Sequence, residues 1–133
     1  MNEPRDQELL KINQAMLNSA ATGDWKTYSQ FCSPELSCFE PETNGNLVEG
    51  LDFHHFYFSD IQNNYSPSAN ASLVVVTMVR PHLRWIGEDT VVLSYCRLTQ
   101  RMQNGQPITT SCTETRIWQC QDGNWQQIHL HRS

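Results

Sequence analysis

The sequence has few basic residues and no cluster of them. Nine Lys and Arg residues stand against fourteen Asp and Glu residues, which gives a formal net charge of −5 at pH 7, and the basic residues are scattered along the chain. A surface that binds nucleic acid or an anionic membrane needs a concentrated positive patch. The composition therefore argues against both kinds of partner.

Long apolar runs are also missing. The first ten residues, MNEPRDQELL, are polar and acidic, whereas a signal peptide begins with basic residues and continues into an apolar run. No later stretch approaches the length of a membrane-spanning helix. We therefore expect a soluble cytoplasmic protein, and 133 residues correspond to one domain, 1–133.

The chain lacks the paired cysteine spacings of zinc sites and disulfide frameworks. Its five cysteines are odd in number and none forms a C-x-x-C pair, so we expect small core or edge thiols. His129 and His131 share one face of a predicted strand, but no third metal ligand is fixed near them. Glycine-rich phosphate loops, nucleophile elbows and metalloprotease motifs are absent. The sequence predicts no metal, no cofactor and no catalytic residue.

Helical patterns occupy the first half of the chain. Residues 6–22 have the apolar spacing of an amphipathic helix that ends at Gly23, and Asp24 can cap a short second helix. The segment ELSCFE predicts a strand. Residues 47–64, LVEGLDFHHFYFSDIQNN, predict a helix that is covered on most of its sides, because apolar residues surround it.

Strand patterns occupy the second half, after a polar loop at 65–72. The predicted strands are LVVVTMVR, PHLRWIG, TVVLSYCRLTQRMQ, PITTSCTETRIWQCQ and NWQQIHLHRS. Asn104-Gly105 and Asp122-Gly123 are strong hairpin signals, because these residues accept positive φ in a tight turn. Helices followed by consecutive hairpins predict an α+β domain with the helices packed on one face of a highly curved antiparallel sheet.

Three arginines fall on apolar strand faces. Because side chains two apart share a face, Arg97 is in phase with Tyr95, Arg116 with Trp118, and Arg132 with Ile128 and Leu130. Burying an unpaired guanidinium costs several kcal/mol. The arginines therefore either line a cationic pocket suited to a carboxylate or phosphate, or pair separately with carboxylates such as Glu114 and Glu40, or lie at a sheet edge.

His54 lies on the Phe-rich helix, where a histidine is either a hydrogen-bonded core residue or a catalytic base. Asp52 is a weak partner for it, because helix residues two apart do not face each other.

The four tryptophans and the Phe/Tyr cluster supply more aromatic surface than a small sheet easily hides on both faces. Either a second subunit covers the other face or some aromatic side chains are half exposed.

Several stretches resemble the association, or hub, domain of calcium/calmodulin-dependent protein kinase II. They are FEPETNGNLVEGLDFHHFYF at 39–58, RPHLRWIG, SYCRLTQ, TETRIW and DGNWQQIHLHRS, and they occur in the family's order along nearly the whole chain. NLVEGLDFH is specific rather than compositional. The resemblance implies the NTF2-like fold, a conical antiparallel sheet wrapped around a long N-terminal helix.

The resemblance also implies assembly. Hub domains dimerise through their sheets and close into two stacked rings that hold kinase domains at high local concentration. We therefore expect a homo-oligomer, a dodecamer, tetradecamer or larger ring built from dimers, within a calmodulin-binding Ser/Thr kinase or as a free-standing relative. His55 and the pair Arg84-Trp85 depart from the family's pattern and leave the subunit number open.

Finally, the resemblance implies a ligand pocket. The family's pocket contains a histidine and three arginines, which match His54, Arg97, Arg116 and Arg132, and it accepts small carboxylates and acidic peptide segments without catalysis. The alternative is a small-molecule isomerase, dehydratase or cyclase of the NTF2-like superfamily. Three arginines make a poor apolar cavity for such an enzyme.

Overall fold

The computed structural model describes residues 3–64 and 74–133. Its elements are the helices α1 (Pro4–Thr22) and α2 (Trp25–Gln30), strand β1 (Cys32–Phe39), a 3-10 helix (Pro41–Thr43), the short strand β2 (Val48–Glu49), helix α3 (Asp52–Asn64), and the strands β3 (Val75–Ile86), β4 (Thr90–Gln103), β5 (Gln106–Gln121) and β6 (Asn124–Arg132). None of the described helices combines the length and the apolar character needed to cross a membrane.

The strands form one six-stranded sheet in the order β2-β1-β6-β5-β4-β3. Every neighbouring pair is antiparallel except β1 and β6, which run parallel. The prediction of an antiparallel sheet is wrong for this one pair. Hairpin turns fix the relative direction only of consecutive strands, whereas β1 and β6 meet from opposite ends of the chain.

The helix caps and hairpin turns lie at the positions that the sequence predicts. Gly23 follows α1 in the left-handed conformation, with φ at 71°, and the Asp24 side chain accepts a hydrogen bond from the Thr27 backbone N–H to cap α2. Asn104-Gly105 and Asp122-Gly123 have positive φ at both positions and close the β4–β5 and β5–β6 hairpins. The predicted caps and hairpins are therefore confirmed.

Several predicted elements have different bounds in the structure; for example, α1 begins at Pro4 rather than at Asp6, and β1 begins at Cys32 rather than at Glu35. The helix predicted over 47–64 begins at Asp52, because Val48–Glu49 pairs with β1 and Gly50 then turns the chain at a φ of 87°. The two predicted strands around Pro81 are one strand, β3, whose pairing with β4 shifts register between Val79 and His82. A proline cannot donate to the ladder, so the strand accommodates it at a bulge. The predicted loop at 65–72 lies outside the described residues.

Helix α1 packs across the inner face of the sheet. The fully buried side chains at this contact are Leu9, Met16 and Leu17 of α1 and Val91, Leu93, Trp118 and Leu130 of the strands. The other three tryptophans pack against the same core. All four tryptophans thus contribute to the core beneath the helices, whereas Phe56 and Tyr57 are exposed, in agreement with the alternative that some aromatic side chains are exposed.

Candidate ligand-binding site

A cavity of about 550 Å³ lies between the inner face of the sheet and the helices. One wall is apolar and aromatic, with Ala20 and Ala21 from α1 and Phe53, Tyr57 and Phe58 from α3. The opposite wall carries charged side chains from β4, β5 and β6. All four residues predicted for the pocket line it: His54, Arg97, Arg116 and Arg132. The volume falls within the range of small-molecule sites.

Glu114 joins two of the arginines. Arg97 Nη1 donates to Glu114 Oε2 at 2.9 Å, and Arg116 Nε donates to Glu114 Oε1 at 3.1 Å. The Tyr95 hydroxyl, directly across the β4–β5 ladder, also donates to Oε1. Burial alone would raise the pKa of Glu114, but the charges of Arg116 and Arg97 outweigh it and lower the pKa to about 2. Glu114 is therefore ionised.

Gln127 fixes the far side of Arg116. Its Oε1 accepts a hydrogen bond from Arg116 Nη1 at 2.6 Å, and its Nε2 donates to Cys32 Sγ at 3.1 Å. Gln127 faces inward because the β5–β6 register shifts, so that Trp118 pairs with Gln127 and Ile117 with His129. The bulge removes Ile128 from the phase of Leu130 and Arg132, which corrects the expected strand face.

Arg132 is held by two carboxylates. Its Nε donates to Glu40 Oε1 at 3.2 Å, and its Nη2 donates to both oxygens of Glu42, at 2.6 and 2.8 Å. The pKa of Arg132 is raised because these carboxylates outweigh the effect of burial. The pKa of Glu42 is lowered, since the hydrogen bond and charge of Arg132 outweigh its partial burial. Sequence pattern gave no signal for Glu42, which lies 90 residues from Arg132.

His54 is buried beside Glu40. Its Nδ1 lies 3.6 Å from Glu40 Oε2, and its Nε2 is buried with no hydrogen-bond partner among the described residues. Burial lowers the pKa of the imidazole, and the charges of Arg116 and Arg132 lower it further against the opposing effect of Glu40. His54 is therefore uncharged near neutral pH.

The sequence left open whether the arginines share a pocket or pair separately with carboxylates, and the geometry combines the two. Arg97, Arg116 and Arg132 reach one cavity, and each is also paired with a carboxylate, as predicted for Glu114 and Glu40. Three guanidinium groups and three carboxylates cancel in formal charge. The site is a network of ion pairs rather than a free cationic surface.

Among the described residues, one group of side chains has the composition of a metal site. Potential ligand atoms of Cys38, Glu40 and His54 lie within 4.8 Å of one another. Burial and the adjacent Glu40 charge raise the pKa of the Cys38 thiol to about 12, and Arg132 engages the Glu40 carboxylate. A protonated thiol and a carboxylate paired with a guanidinium make a poor ligand set for a cation. His129, which the sequence pattern pairs with His131 as a possible metal ligand, forms a hydrogen bond between its Nδ1 and the Ser37 hydroxyl at 2.7 Å.

A mostly antiparallel sheet with helices on its inner face and a polar cavity between them is the architecture of NTF2-like domains. The chain superposes on a protein of the NTF2-like family from Streptomyces avermitilis with a TM-score of 0.74, at 15% identity, covering 96% of this chain and 93% of that one. At this identity the likeness shows the fold alone. It confirms the predicted fold class.

Sequence similarity defines the family more narrowly. The family model of the calcium/calmodulin dependent protein kinase II association domain matches residues 5–133. The chain therefore belongs to the association domain family. The resemblance carried by NLVEGLDFH and the arginine-bearing strands is confirmed.

Individual relatives agree with this assignment. The chain is 42% identical over 130 residues to the delta subunit of rabbit calcium/calmodulin-dependent protein kinase type II, covering 97% of this chain but only 24% of the relative. The hub homology domain of the Chlamydomonas reinhardtii protein superposes with a TM-score of 0.90 at 44% identity, with 98% of each chain covered. The association domain of the C. elegans kinase gives 0.85 at 35% identity, covering 97% and 95%.

Proposed function

We propose that this domain assembles calcium/calmodulin-dependent kinase subunits into a closed, two-layer ring built from dimers. The observation that carries the proposal is the match of nearly the whole chain to the association domain family. When neighbouring copies repeat the same contact between two different surfaces, each copy is rotated relative to the one before it. The copies form a closed ring if a whole number of these rotations makes one full turn. A dodecamer, tetradecamer or larger ring would raise the local concentration of attached kinase domains, so that neighbours phosphorylate one another.

Mass measurement tests the assembly directly. Light scattering and native mass spectrometry of the 133-residue chain at micromolar concentration are expected to give a mass of about twelve chains or more. A stable dimer as the largest species under the same conditions would contradict the ring. The measurement also fixes the subunit number, which depends on a small angle at the contact between neighbours.

The cavity is the second part of the proposal. We infer that it accepts small carboxylates or acidic peptide segments, because three guanidinium groups converge opposite an aromatic wall. Guanidinium groups bind carboxylates through charge-assisted and often bidentate hydrogen bonds, which are stronger in a partly desolvated cavity. The aromatic wall favours a ligand with an apolar body behind its carboxylate.

Arg132 is the residue to test. Arg116 is nearly fully buried against Glu114, so its removal would leave a buried carboxylate without its main partner and affect the fold as well as binding. The Arg132 side chain is 22% exposed and can be changed with less disturbance. Arg132→Gln is expected to weaken carboxylate binding about tenfold or more in calorimetry, the range for losing a charge-assisted hydrogen bond.

Arg84→Gln is the matched control, since Arg84 is an exposed arginine of β3 outside the cavity lining. It removes the same charge and should leave the affinity within about twofold. Equal affinities for the wild type and both variants would remove the proposed role of the cavity while leaving the ring proposal intact.

The same geometry argues against the enzyme alternative. A general acid or base needs a pKa near the working pH, usually in an apolar cavity. The pKa values of Glu42 and Glu114 are lowered by their arginine partners, so neither carboxylate is suited to that role. A binding site fits the paired charges better than an active site.

A further inference from the structure

Arg132, the most exposed of the three pocket arginines, is already bound by a carboxylate of its own chain. Glu42 accepts two hydrogen bonds from Arg132 Nη2, at 2.6 and 2.8 Å. Both hydrogen bonds come from the same nitrogen, so Glu42 occupies the position from which an incoming carboxylate would accept from Nη2. Any ligand that binds Arg132 in this way must first compete with Glu42.

Glu42 differs from the other two carboxylates in how firmly it is held. The Glu42 side chain is 37% exposed, whereas Glu40 is 11% exposed and Glu114 is fully buried. Glu114 also binds Arg97, Arg116 and Tyr95, and Glu40 lies against both His54 and Arg132. Among the described residues, Arg132 is the one side chain that the Glu42 carboxylate binds.

Glu42 can leave Arg132 without any movement of the backbone. Glu42 is the middle residue of the three-residue 3-10 helix Pro41–Thr43. Thr43 holds this helix in place, because its backbone N–H and its hydroxyl both donate to the Glu40 carbonyl at 2.9 Å. A rotation of the Glu42 side chain toward solvent breaks its contact with Arg132 and leaves the paired Glu114 network unchanged.

We propose that Glu42 is a built-in competitor for the pocket, holding Arg132 until a carboxylate ligand takes its place. The inference rests on the proposed binding of carboxylates and specifies how it is regulated. Because Glu42 is always present, it lowers the apparent affinity of every carboxylate that needs Arg132 by the same factor. A carboxylate therefore binds appreciably only when further contacts, such as those of an apolar body with the aromatic wall, compensate for that loss.

Phenylacetate is a suitable probe because it combines one carboxylate with an aromatic body. Its affinity is measured by calorimetry for the wild type, Glu42→Gln and the control Glu35→Gln. Glu35 is an exposed carboxylate of β1 that does not line the cavity, so the control removes the same charge elsewhere. Glu42→Gln is expected to bind phenylacetate about tenfold more tightly than the wild type, and Glu35→Gln within about twofold.

The outcomes separate the two proposals. Measurable binding that Glu42→Gln leaves unchanged or weakens overturns the competitor role, because Glu42 would then merely orient Arg132. If neither the wild type nor Glu42→Gln binds phenylacetate, both the competitor role and the carboxylate pocket are overturned.

A second comparison distinguishes direct competition from a change in the electric field of the pocket. In an Arg132→Gln background, Glu42→Gln is expected to leave the affinity unchanged, since the contested guanidinium is gone. If Glu42→Gln tightens phenylacetate binding by the same factor with and without Arg132, Glu42 does not compete for that guanidinium. Circular dichroism of all variants checks that the fold is retained.

Discussion

Glu114 and Arg116 form an ion pair inside the protein, with Glu114 Oε1 3.1 Å from Arg116 Nε and side chains that are 0% and 3% exposed. Neither charge could be buried alone, because an uncompensated interior charge costs several kcal/mol. The Tyr95 hydroxyl and Gln127 satisfy further atoms of the pair. The residues that define the candidate site are thus also part of the core, so changes to the site affect folding.

The first prediction concerns the stability that this pair provides. Glu114→Gln is expected to lower the free energy of unfolding by about 3–5 kcal/mol, because it leaves Arg116 buried without its counter-charge. Urea denaturation at one fixed protein concentration measures the change, since assembly makes stability depend on concentration. The control Glu88→Gln alters an exposed carboxylate and should stay within about 0.5 kcal/mol of the wild type. A loss below about 1 kcal/mol for Glu114→Gln would contradict the buried-pair interpretation.

The second prediction concerns acid stability. The neighbouring arginines lower the pKa of Glu114 to about 2 in the folded protein, against an ordinary glutamate value of 4.5. Because the folded pKa is the lower one, this contribution is fully present above pH 4.5 and is lost as the pH falls toward 2. The free energy of unfolding should therefore fall over this range, and Glu114→Gln should make the fall shallower. Equal slopes in the wild type and the variant would show that Glu114 does not titrate as inferred.

The third prediction concerns the contact between α1 and the sheet. Trp118 Nε1 donates to Asn13 Oδ1 at 3.0 Å, and both side chains are fully buried. Asn13→Leu should lower the free energy of unfolding by about 1–3 kcal/mol, because the indole N–H is left without an acceptor. Adding Trp118→Phe removes that unsatisfied donor, so the double variant should lose less than the sum of the two single variants. Additive losses in this double-mutant cycle would mean that the hydrogen bond contributes little.

The sequence was sufficient for the parts of the site that depend on strand phase. Arg97 and Arg116 lie on the same face because the β4–β5 hairpin keeps a regular register from its Asn104-Gly105 turn. The role of Gln127 in the site could not be predicted, because its inward direction depends on a β-bulge that no residue type in the sequence indicates. The contact of Glu42 with Arg132 depends on the parallel pairing of β1 with β6, and long-range pairing leaves no local pattern in a sequence.

The fourth prediction links His54 to ligand binding. Burial lowers the pKa of His54, and an anion bound beside it would raise that pKa again, so binding should take up a proton. Carboxylate affinity is therefore expected to rise as the pH falls from about 8 to about 6, toward the usual titration range of histidine. Calorimetry in two buffers of different ionisation enthalpy measures the proton uptake. His54→Gln should abolish the uptake, whereas His82→Gln, which changes an exposed histidine of β3, should retain it. Uptake that persists in His54→Gln would assign the titration to another group and leave His54 as a core residue.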